Sequence, residues 1–245
     1  MSYQTVFKRY ETKYLLTEKQ RTAVQETMAP YMQPDSYGRT TVCNLYFDTD
    51  TYRLIRHSID KPAYKEKLRI RSYGRALPDS PVFVELKKKY KKIVYKRRIS
   101  LSEKDAVKWI LKDSPCAQNS QIADEINYFF RYYETLHPAV FLSYEREAFY
   151  AKDDPDFRVT FDDTILCRQD NLSLESEVYG TPLLPEGMSL MEIKCPGGIP
   201  LWMTRILSWE RIYKTSFSKY GRAYQTMIFP HLKEEYDHRE VAAHA

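Results

Sequence analysis

Hydrophobic and polar residues alternate along much of the chain, which is the pattern of half-buried β-strands. The clearest example is the segment KLRIRSYG, in which Leu68 and Ile70 share one face while Lys67, Arg69 and Arg71 share the other. A half-buried strand normally has one apolar and one solvated face, but the polar face here carries only Lys and Arg. The pattern therefore predicts strands and a concentration of positive charge on one side of a sheet.

The same alternation predicts strands through most of the chain, in the segments 7–16, 40–49, 62–73, 81–89, 92–101, AVFLSYEREAFYA, FRVTFDDTILCR and SLMEIKCPG. Amphipathic periodicity predicts helices between them, in 17–32, DTYRLIRHS, SEKDAVKWILKD, 119–136, IPLWMTRILSWE and SFSKYGRAYQTMI. The first helix begins with TEKQ, a T-x-x-Q capping box. The order of elements predicts an α+β fold, with one domain over residues 1–230 and a polar tail over 231–245.

Composition describes an ordinary globular protein, with 245 residues, 43% hydrophobic residues and 29% charged residues. The 21 Tyr and 11 Phe lie mostly in the strand-like segments and favour a β-rich fold. The four scattered cysteines form no CxxC pair, which indicates free thiols in a reducing compartment. With no signal-peptide pattern at the N-terminus, we expect a cytoplasmic protein.

The net charge is +5, and its distribution is uneven. Between Lys61 and Arg98 there are fourteen Lys or Arg against three Asp or Glu, which predicts an anionic partner such as phosphate, nucleic acid or a membrane surface. The dense run around Lys88 and Lys91 fits either a solvated hairpin tip or a basic funnel.

Charged strand faces recur along the chain, and the opposite faces are largely apolar. If the apolar faces pack outward against helices, about eight antiparallel strands can close into a barrel with a charged interior. Buried Lys and Arg cannot remain unpaired, because an isolated buried ion costs several kcal/mol. A chain of phosphates could neutralise them, so the pattern predicts a cavity for a polyanion.

At these residues the sequence resembles the VTC domain, the polyphosphate polymerase module of the vacuolar transporter chaperone family. The matching segments are RYETKYLL, KLRIRSYG, VELKKKY, VYKRR, SYEREAF, FRVTFDD, LMEIK and SFSKYGRA, in the order found in the family. That family is part of the CYTH superfamily of triphosphate tunnel metalloenzymes, whose fold is an antiparallel β-tunnel with flanking helices. The resemblance implies transfer of the γ-phosphate of ATP to a polyphosphate chain inside a basic tunnel, with release of ADP.

The resemblance also implies roles for individual residues. Catalytic contacts to the triphosphate and the polymer are expected from Lys13, Arg69, Arg71, Lys87, Arg146 and Arg158. Further substrate contacts are expected from Arg9, Lys96, Arg98, Tyr144, Lys194, Ser218 and Lys219. Glu192 is expected to hold Mn²⁺ or Mg²⁺ against the phosphates, and Glu11 is either a second metal ligand or the partner of a tunnel cation.

Two departures from the family patterns bear on these roles. Hydrolases of the superfamily typically begin with E-x-E-x-K, whereas this chain has Arg9-x-Glu11-x-Lys13, which favours the polymerase branch over a two-metal triphosphatase. The eukaryotic pattern has Lys directly before FSK, but Ser216 stands there in this chain, and Lys214 is the candidate substitute.

Other functions remain open at this point. A metal-dependent triphosphatase or nucleotide cyclase of the same fold is the nearest enzymatic alternative, and a non-catalytic module that binds polyphosphate or RNA is the alternative from another class. The preferred partners are ATP and polyphosphate rather than nucleic acid. Relatives act beside a membrane channel that takes up the product, so a separate membrane protein is compatible with the resemblance. The oligomeric state is left undetermined.

Overall fold

The computed structural model describes residues 10–91 and 93–233. Predictions that concern Arg9, the beginning of the first strand, residue 92 and most of the tail 231–245 lie outside the described residues. The strands are β1 (Tyr10–Leu16), β2 (Met32–Pro34), β3 (Thr40–Asp48), β4 (Tyr64–Tyr73), β5 (Pro81–Tyr90), β6 (Ile93–Ser102), β7 (His137–Ala151), β8 (Arg158–Arg168), β9 (Thr181–Pro182), β10 (Ser189–Cys195) and β11 (Lys214–Thr215).

The helices lie between these strands and after them. They are α1 (Glu18–Met28), α2 (Arg53–Ile59), α3 (Glu103–Leu111), α4 (Gln121–Tyr133), α5 (Leu201–Trp209) and α6 (Lys219–Ala223), followed by a π-helical turn at Tyr224–Ile228. None of the described helices is long and apolar enough to cross a bilayer.

Local sequence explains where α1 begins and ends. The Thr17 hydroxyl accepts the backbone N–H of Gln20, and the Gln20 side chain accepts the backbone N–H of Thr17, so the predicted capping box is confirmed. The predicted extension of this helix to Met32 is wrong. Pro30 follows the C-cap residue Ala29, and proline cannot donate the N–H that another helical turn requires. The chain then forms β2, which pairs with β7.

All of the described strands belong to one antiparallel sheet in the order β11-β1-β10-β8-β7-β3-β4-β5-β6, with β2 on β7 and β9 on β8. The eight long strands correspond to the predicted eight, and the three short ones were not predicted. The predicted closure into a barrel is not seen among the described strands, because β11 and β6 remain unpaired edges. The α+β tunnel architecture with flanking helices is nevertheless confirmed.

The sheet curls so that its two ends face each other. Burial alone would raise the pKa of Glu11 on β1, but the charge of Lys87 on β5 is the largest of the effects that bring it below the ordinary value. Lys13 on β1 likewise acts on the pKa of Lys67 on β4. Strands that are distant in the sheet order therefore approach across a common bore, and we call the surface around it the inner face.

Helices cover the outer face, as predicted. One apolar cluster joins Leu68, Val84 and Leu86 of β4 and β5 to Trp109 of α3 and Ile126 of α4. A second joins β1, β8 and β10 to α1 and α5. Lys67, Arg69 and Arg71 alternate with the β4 residues of the first cluster and therefore lie on the inner face.

A third apolar cluster occupies part of the inner face. It was not predicted, because the sequence pattern indicated that this face is charged. Tyr46 of β3 and Tyr144 of β7 belong to it together with Tyr220 of α6, and the rings of Tyr46 and Tyr220 stack with centroids 5.1 Å apart. The C-terminal helix therefore covers one portion of the bore and brings its own side chains to the site.

Candidate functional site

Charged side chains from seven strands and from α6 converge on the inner face. Its central part carries ten cationic residues, which are Lys13, Lys67, Arg69, Arg71, Lys87, Lys96, Arg98, Arg146, Lys194 and Lys219. Four carboxylates lie among them, which are Glu11, Glu85, Asp162 and Glu192. The described central part therefore has an excess of cations, in agreement with the predicted cavity for a polyanion.

Glu192 lies at the centre of one cation cluster. Its carboxylate is 2.9 Å from Lys13 Nζ, 3.6 Å from both Lys194 Nζ and Lys219 Nζ, and 3.9 Å from Arg146 Nη2. Burial alone would raise its pKa, but these four positive charges hold the pKa of Glu192 well below its ordinary value. The residue is therefore an ionised, buried carboxylate at neutral pH.

Glu11 shares Lys13 with Glu192. Its Oε1 is 3.3 Å from Lys13 Nζ, so one lysine bridges the two carboxylates. The hydroxyl of Thr160, which is paired in register with Glu192, is buried and has no hydrogen-bond partner among the described groups.

The carboxylate oxygens of Glu192 and Glu11 and the hydroxyl oxygen of Thr160 are hard ligands, which Mg²⁺ and Mn²⁺ prefer. In the described residues, however, no three His, Cys, Asp or Glu side chains lie close enough to hold an ion by themselves. Glu192 and Glu11 would therefore supply only part of the coordination of such an ion, and further ligands would have to come from outside the protein.

Asp162 is a site residue that sequence reasoning missed. Its side chain is fully buried, and it accepts hydrogen bonds from Arg146 Nε at 2.6 Å and Nη2 at 2.7 Å, and from Lys219 Nζ at 2.5 Å. These cations hold the pKa of Asp162 below its ordinary value although burial alone would raise it. The alternation Arg158, Thr160, Asp162 was a signal in the sequence that could have placed this carboxylate on the inner face.

Glu85 is the second residue whose role was missed, and it organises the opposite wall. It binds Arg69 at 2.7 Å, Lys96 at 2.6 Å and Arg98 at 2.6 Å. Burial alone would raise the pKa of Glu85, but Arg69 and its other neighbours lower it strongly. The pattern VELKKKY placed Glu85 on the charged face but could not show that three cations on two neighbouring strands share it.

Polar side chains of β3 and β7 position the arginines. Arg69 donates to the Tyr46 hydroxyl at 2.9 Å, and Arg71 donates to Asn44 Oδ1 at 3.0 Å. Tyr144 lies beneath Arg146 and Lys219, with its ring centroid 5.0 and 4.4 Å from their charged groups. Tyr144 therefore contacts the cations directly, whereas Tyr46 and Asn44 are positioning residues that the sequence did not single out.

Several lysines on β4, β5 and β6 cluster with few carboxylates near them. Burial lowers the pKa of Lys67 and of Lys96 to about 8, and in both cases neighbouring cations add to the effect. Burial also lowers the pKa of Lys87. Lys67 Nζ donates to Ser218 Oγ at 3.0 Å, and Lys67 was not among the predicted contacts.

The segment before α6 delivers Ser218 and Lys219. Ser218 is the N-cap of α6, where its hydroxyl accepts the N–H of Gly221. The next turn is anchored by Tyr220, whose hydroxyl donates to Asp48 Oδ2 at 2.8 Å. Asp48 is fully buried and also accepts the backbone N–H groups of Thr49, Leu54 and Ile55 at the beginning of α2.

Two predicted residues lie away from the central cluster. Arg158 occupies an inner-face position opposite Lys194, but it is exposed and its Nε donates to the Pro155 carbonyl at 3.2 Å. Lys214 pairs with Tyr14, a residue of the outer core. The suggestion that Lys214 substitutes for the eukaryotic lysine is therefore wrong, because strand alternation points it away from Lys13.

Comparison with solved structures finds proteins whose folds are similar to that of this chain. A candidate adenylate cyclase from Bacillus halodurans is 14% identical with a TM-score of 0.54, over 85% of this chain and 92% of that chain. A candidate adenylate cyclase from Vibrio parahaemolyticus is 11% identical with a TM-score of 0.48, over 88% and 96% of the two chains. A candidate adenylyl cyclase from Hippeastrum, described with a dominant triphosphatase activity, is 14% identical with a TM-score of 0.48, over 88% and 94%.

At these identities the likeness to the Bacillus protein shows a shared fold. A search of curated protein sequences finds no significant match. The model of the VTC domain matches residues 8–228, which include every strand and helix that lines the inner face. The chain therefore belongs to the VTC domain family.

Proposed function

We propose that the protein is an ATP-dependent polyphosphate polymerase, which transfers the γ-phosphate of ATP to a polyphosphate chain and releases ADP. The observation that carries the proposal is the excess of ten cations over four carboxylates on one concave inner face. Membership of the VTC family supports the same activity, as the sequence resemblance implies. A polyanion supplies the missing negative charge, and arginine recognises phosphate oxygens through paired hydrogen bonds.

The carboxylates have a role in this proposal that a simple polyanion-binding surface would not need. Glu192, with Glu11 beside it, would hold Mn²⁺ or Mg²⁺, and phosphate oxygens would complete the coordination. When bound, the ion would neutralise charge that develops on the transferring phosphoryl group.

The remaining residues bind and orient the reacting phosphates. An oxygen of the terminal phosphate of the polymer attacks the γ-phosphorus, and the bond from the γ-phosphorus to the bridging oxygen breaks, so that ADP leaves with that electron pair. Phosphoryl transfer depends mainly on alignment and charge stabilisation. Lys13, Arg146 and Lys219 would bind the phosphates from one wall, and Arg69, Arg71 and Lys87 from the other.

We expect further contacts from the other residues of the inner face. Lys96, Arg98 and Lys194 would bind neighbouring phosphates, and Tyr144 and Ser218 would position the cations that they contact. Arg158 would meet the polymer outside the central cluster, and we propose the same for Arg9.

A product assay on purified protein tests this function. With ATP and Mn²⁺ we expect ADP and an acid-labile phosphate polymer, and Glu192→Gln should reduce polymer formation by about a hundredfold or more while the fold persists. Glu186→Gln changes an exposed glutamate and should leave the rate unchanged.

Other results would contradict the proposal in distinguishable ways. Release of inorganic phosphate without polymer would identify a triphosphatase, and formation of cyclic AMP would identify a cyclase. Binding of polyphosphate with no turnover of ATP would identify a non-catalytic module. A Glu192→Gln variant with the wild-type rate would remove Glu192 from the mechanism.

A further inference from the structure

The inner face of β4, β5 and β6 differs at its two ends. One end, which we call the aromatic end, consists of Tyr73 and Phe83, with ring centroids 5.9 Å apart in an edge-to-face arrangement. The other end, which we call the lysine end, carries Lys65 and Lys89, which are paired in register. A bore with two chemically different ends is suited to two different substrates.

Strand alternation shows that the aromatic end belongs to the inner face. Phe83 is paired with Arg71, an inner-face arginine, and the Arg98 guanidinium lies 4.3 Å from the centroid of the Phe83 ring. Tyr73 is two residues beyond Arg71 on the same strand and is 53% exposed. An exposed ring on the inner wall, in edge-to-face contact with Phe83, is available to a planar ligand.

The tyrosines near the lysine end point the other way. Tyr64 and Tyr90 are paired with each other, and Tyr95 is paired with Lys88. These positions alternate with Lys65, Lys89 and Lys96, so the rings lie on the outer face. The lysine end therefore carries lysine side chains on the inner face, where Lys65 Nζ donates to the Ser58 carbonyl at 3.0 Å, and the aromatic rings lie on the inner face at the aromatic end.

We propose that the base of the nucleotide stacks at the aromatic end, on Tyr73 and Phe83, with its phosphates directed towards the lysine end. This inference rests on the proposed function and specifies how the nucleotide is oriented. Aromatic side chains bind any nucleobase by stacking, and Arg can add a cation–π contribution. A polymer without bases has no need of rings and is bound by point charges.

The dimensions of the strands agree with this orientation. From Arg71, at the level of Phe83, to Lys67 there are four residues, or about 13 Å at the rise of a β-strand. An extended nucleoside triphosphate with its base at Phe83 therefore places its terminal phosphate near Lys67 and Lys87. There it also meets Lys13, whose charge acts on both lysines across the bore.

Calorimetric titration with ATP and with inorganic tripolyphosphate, at equal Mg²⁺, separates the base from the phosphates. Tyr73→Ala and Phe83→Leu should each weaken ATP binding about tenfold and leave tripolyphosphate binding within about twofold. Phe83→Tyr keeps a ring and should retain ATP affinity. Tyr90→Ala, which removes an exposed tyrosine from the outer face, is the matched control and should change neither affinity.

The proposal is overturned if both variants bind ATP as the wild type does. It is also overturned if ATP and tripolyphosphate lose affinity equally, because the rings would then act only by holding the arginines. These binding results do not depend on the product that is formed. If the ring variants lose affinity for ATP but not for tripolyphosphate, and the wild type makes no polymer, the stacking site is supported and the polymerase function is refuted.

Discussion

Two halves of the inner face use their positive charges differently. In the half formed by β1, β10, β8, β7 and α6, the central part has three carboxylates (Glu11, Asp162 and Glu192) and four cations (Lys13, Arg146, Lys194 and Lys219). In the half formed by β4, β5 and β6, the described central part has Glu85 as its carboxylate and six cations (Lys67, Arg69, Arg71, Lys87, Lys96 and Arg98).

This difference shows which half has its cations neutralised by carboxylates of the protein itself. In the first half, each of the four cations contacts Glu192 or Asp162, both of which are buried, so the positions of these groups are set by the protein itself. In the second half, burial and mutual repulsion disfavour charged lysines, and an anionic substrate would relieve both effects. We call the first half the paired half and the second half the cation-rich half.

The largest effect on stability is expected from removing the central carboxylate of the paired half. Asp162→Asn leaves Arg146 and Lys219 without their buried counter-charge, and loss of one partner from a buried ion pair costs about 3–5 kcal/mol. The side chains of Arg146 and Lys219 are only 18% and 10% exposed, so a bound tripolyphosphate reaches only a small part of each and should restore only a minor part of the loss. Urea denaturation with and without tripolyphosphate measures both quantities.

Asp163→Asn is the neighbouring control, because Asp163 pairs with Arg21 and Arg39 on the other side of the sheet and should not alter the response to tripolyphosphate. If tripolyphosphate fully restored the stability of Asp162→Asn, the paired half would be as dependent on anions as the other half. The proposed distinction would then fail.

Glu85→Gln makes the corresponding change in the cation-rich half. We expect a loss of about 2 kcal/mol in the free energy of unfolding, because the cations that Glu85 holds are partly open to water; Lys96 and Arg98 are 42% and 37% exposed. Here tripolyphosphate should recover most of the loss and bind several-fold more tightly than to the wild type. The same denaturation series, with calorimetric titration, tests this. Weaker binding of tripolyphosphate would contradict the role of Glu85 as a competitor for the cations.

The smallest effect is a pH dependence of the cation-rich half. Burial lowers the pKa of Lys67 from its ordinary value of 10.5 to about 8. Below that pH the lysine is charged in both the folded and the unfolded state, and the folded state is destabilised by the full free energy of burying the charge. Between 8 and 10.5 it is charged mainly in the unfolded state, so the free energy of unfolding should rise with pH in this window.

Binding of tripolyphosphate at about pH 9 should therefore take up protons, because the anion favours charged lysines. Titration in buffers of different ionisation enthalpy measures that uptake. Lys67→Met should reduce it, whereas Lys88→Met, on the opposite face of the same sheet, should not. Equal uptake in both variants would show that Lys67 is not the group that titrates.

Much of the fold follows from patterns that are local in the chain. The alternation in KLRIRSYG and VELKKKY predicts both the strands and the side of the sheet that carries charge. The capping box at Thr17 predicts the beginning of α1 because all its atoms lie within one turn. Helical periodicity predicts too long an α1, because Pro30 ends the helix after the C-cap residue Ala29.

The candidate site was less predictable, because its decisive contacts join distant segments. Alternation correctly suggested that Glu192 and Lys13 bear charge on the same kind of face, but it could not show that they pair at 2.9 Å across 179 positions. The family pattern suggested Lys214, which the register of β11 places on the other face of the strand. The alternation in FRVTFDD is compatible with an inner-face Asp162, but only the tertiary structure shows that Arg146 and Lys219 bind it. The role of Tyr220 depends on the contact between α6 and α2.

The sequence by itself determined which residues form strands and which of their faces are charged, because side-chain direction in a strand follows a period of two residues. The tertiary structure alone decided that the sheet curls until β1 faces β5, that α6 enters the bore, and which carboxylate neutralises which cation. Those outcomes depend on packing of the outer face against four helices and on hydrogen-bond register between strands. Neither is a property of any single segment of the chain.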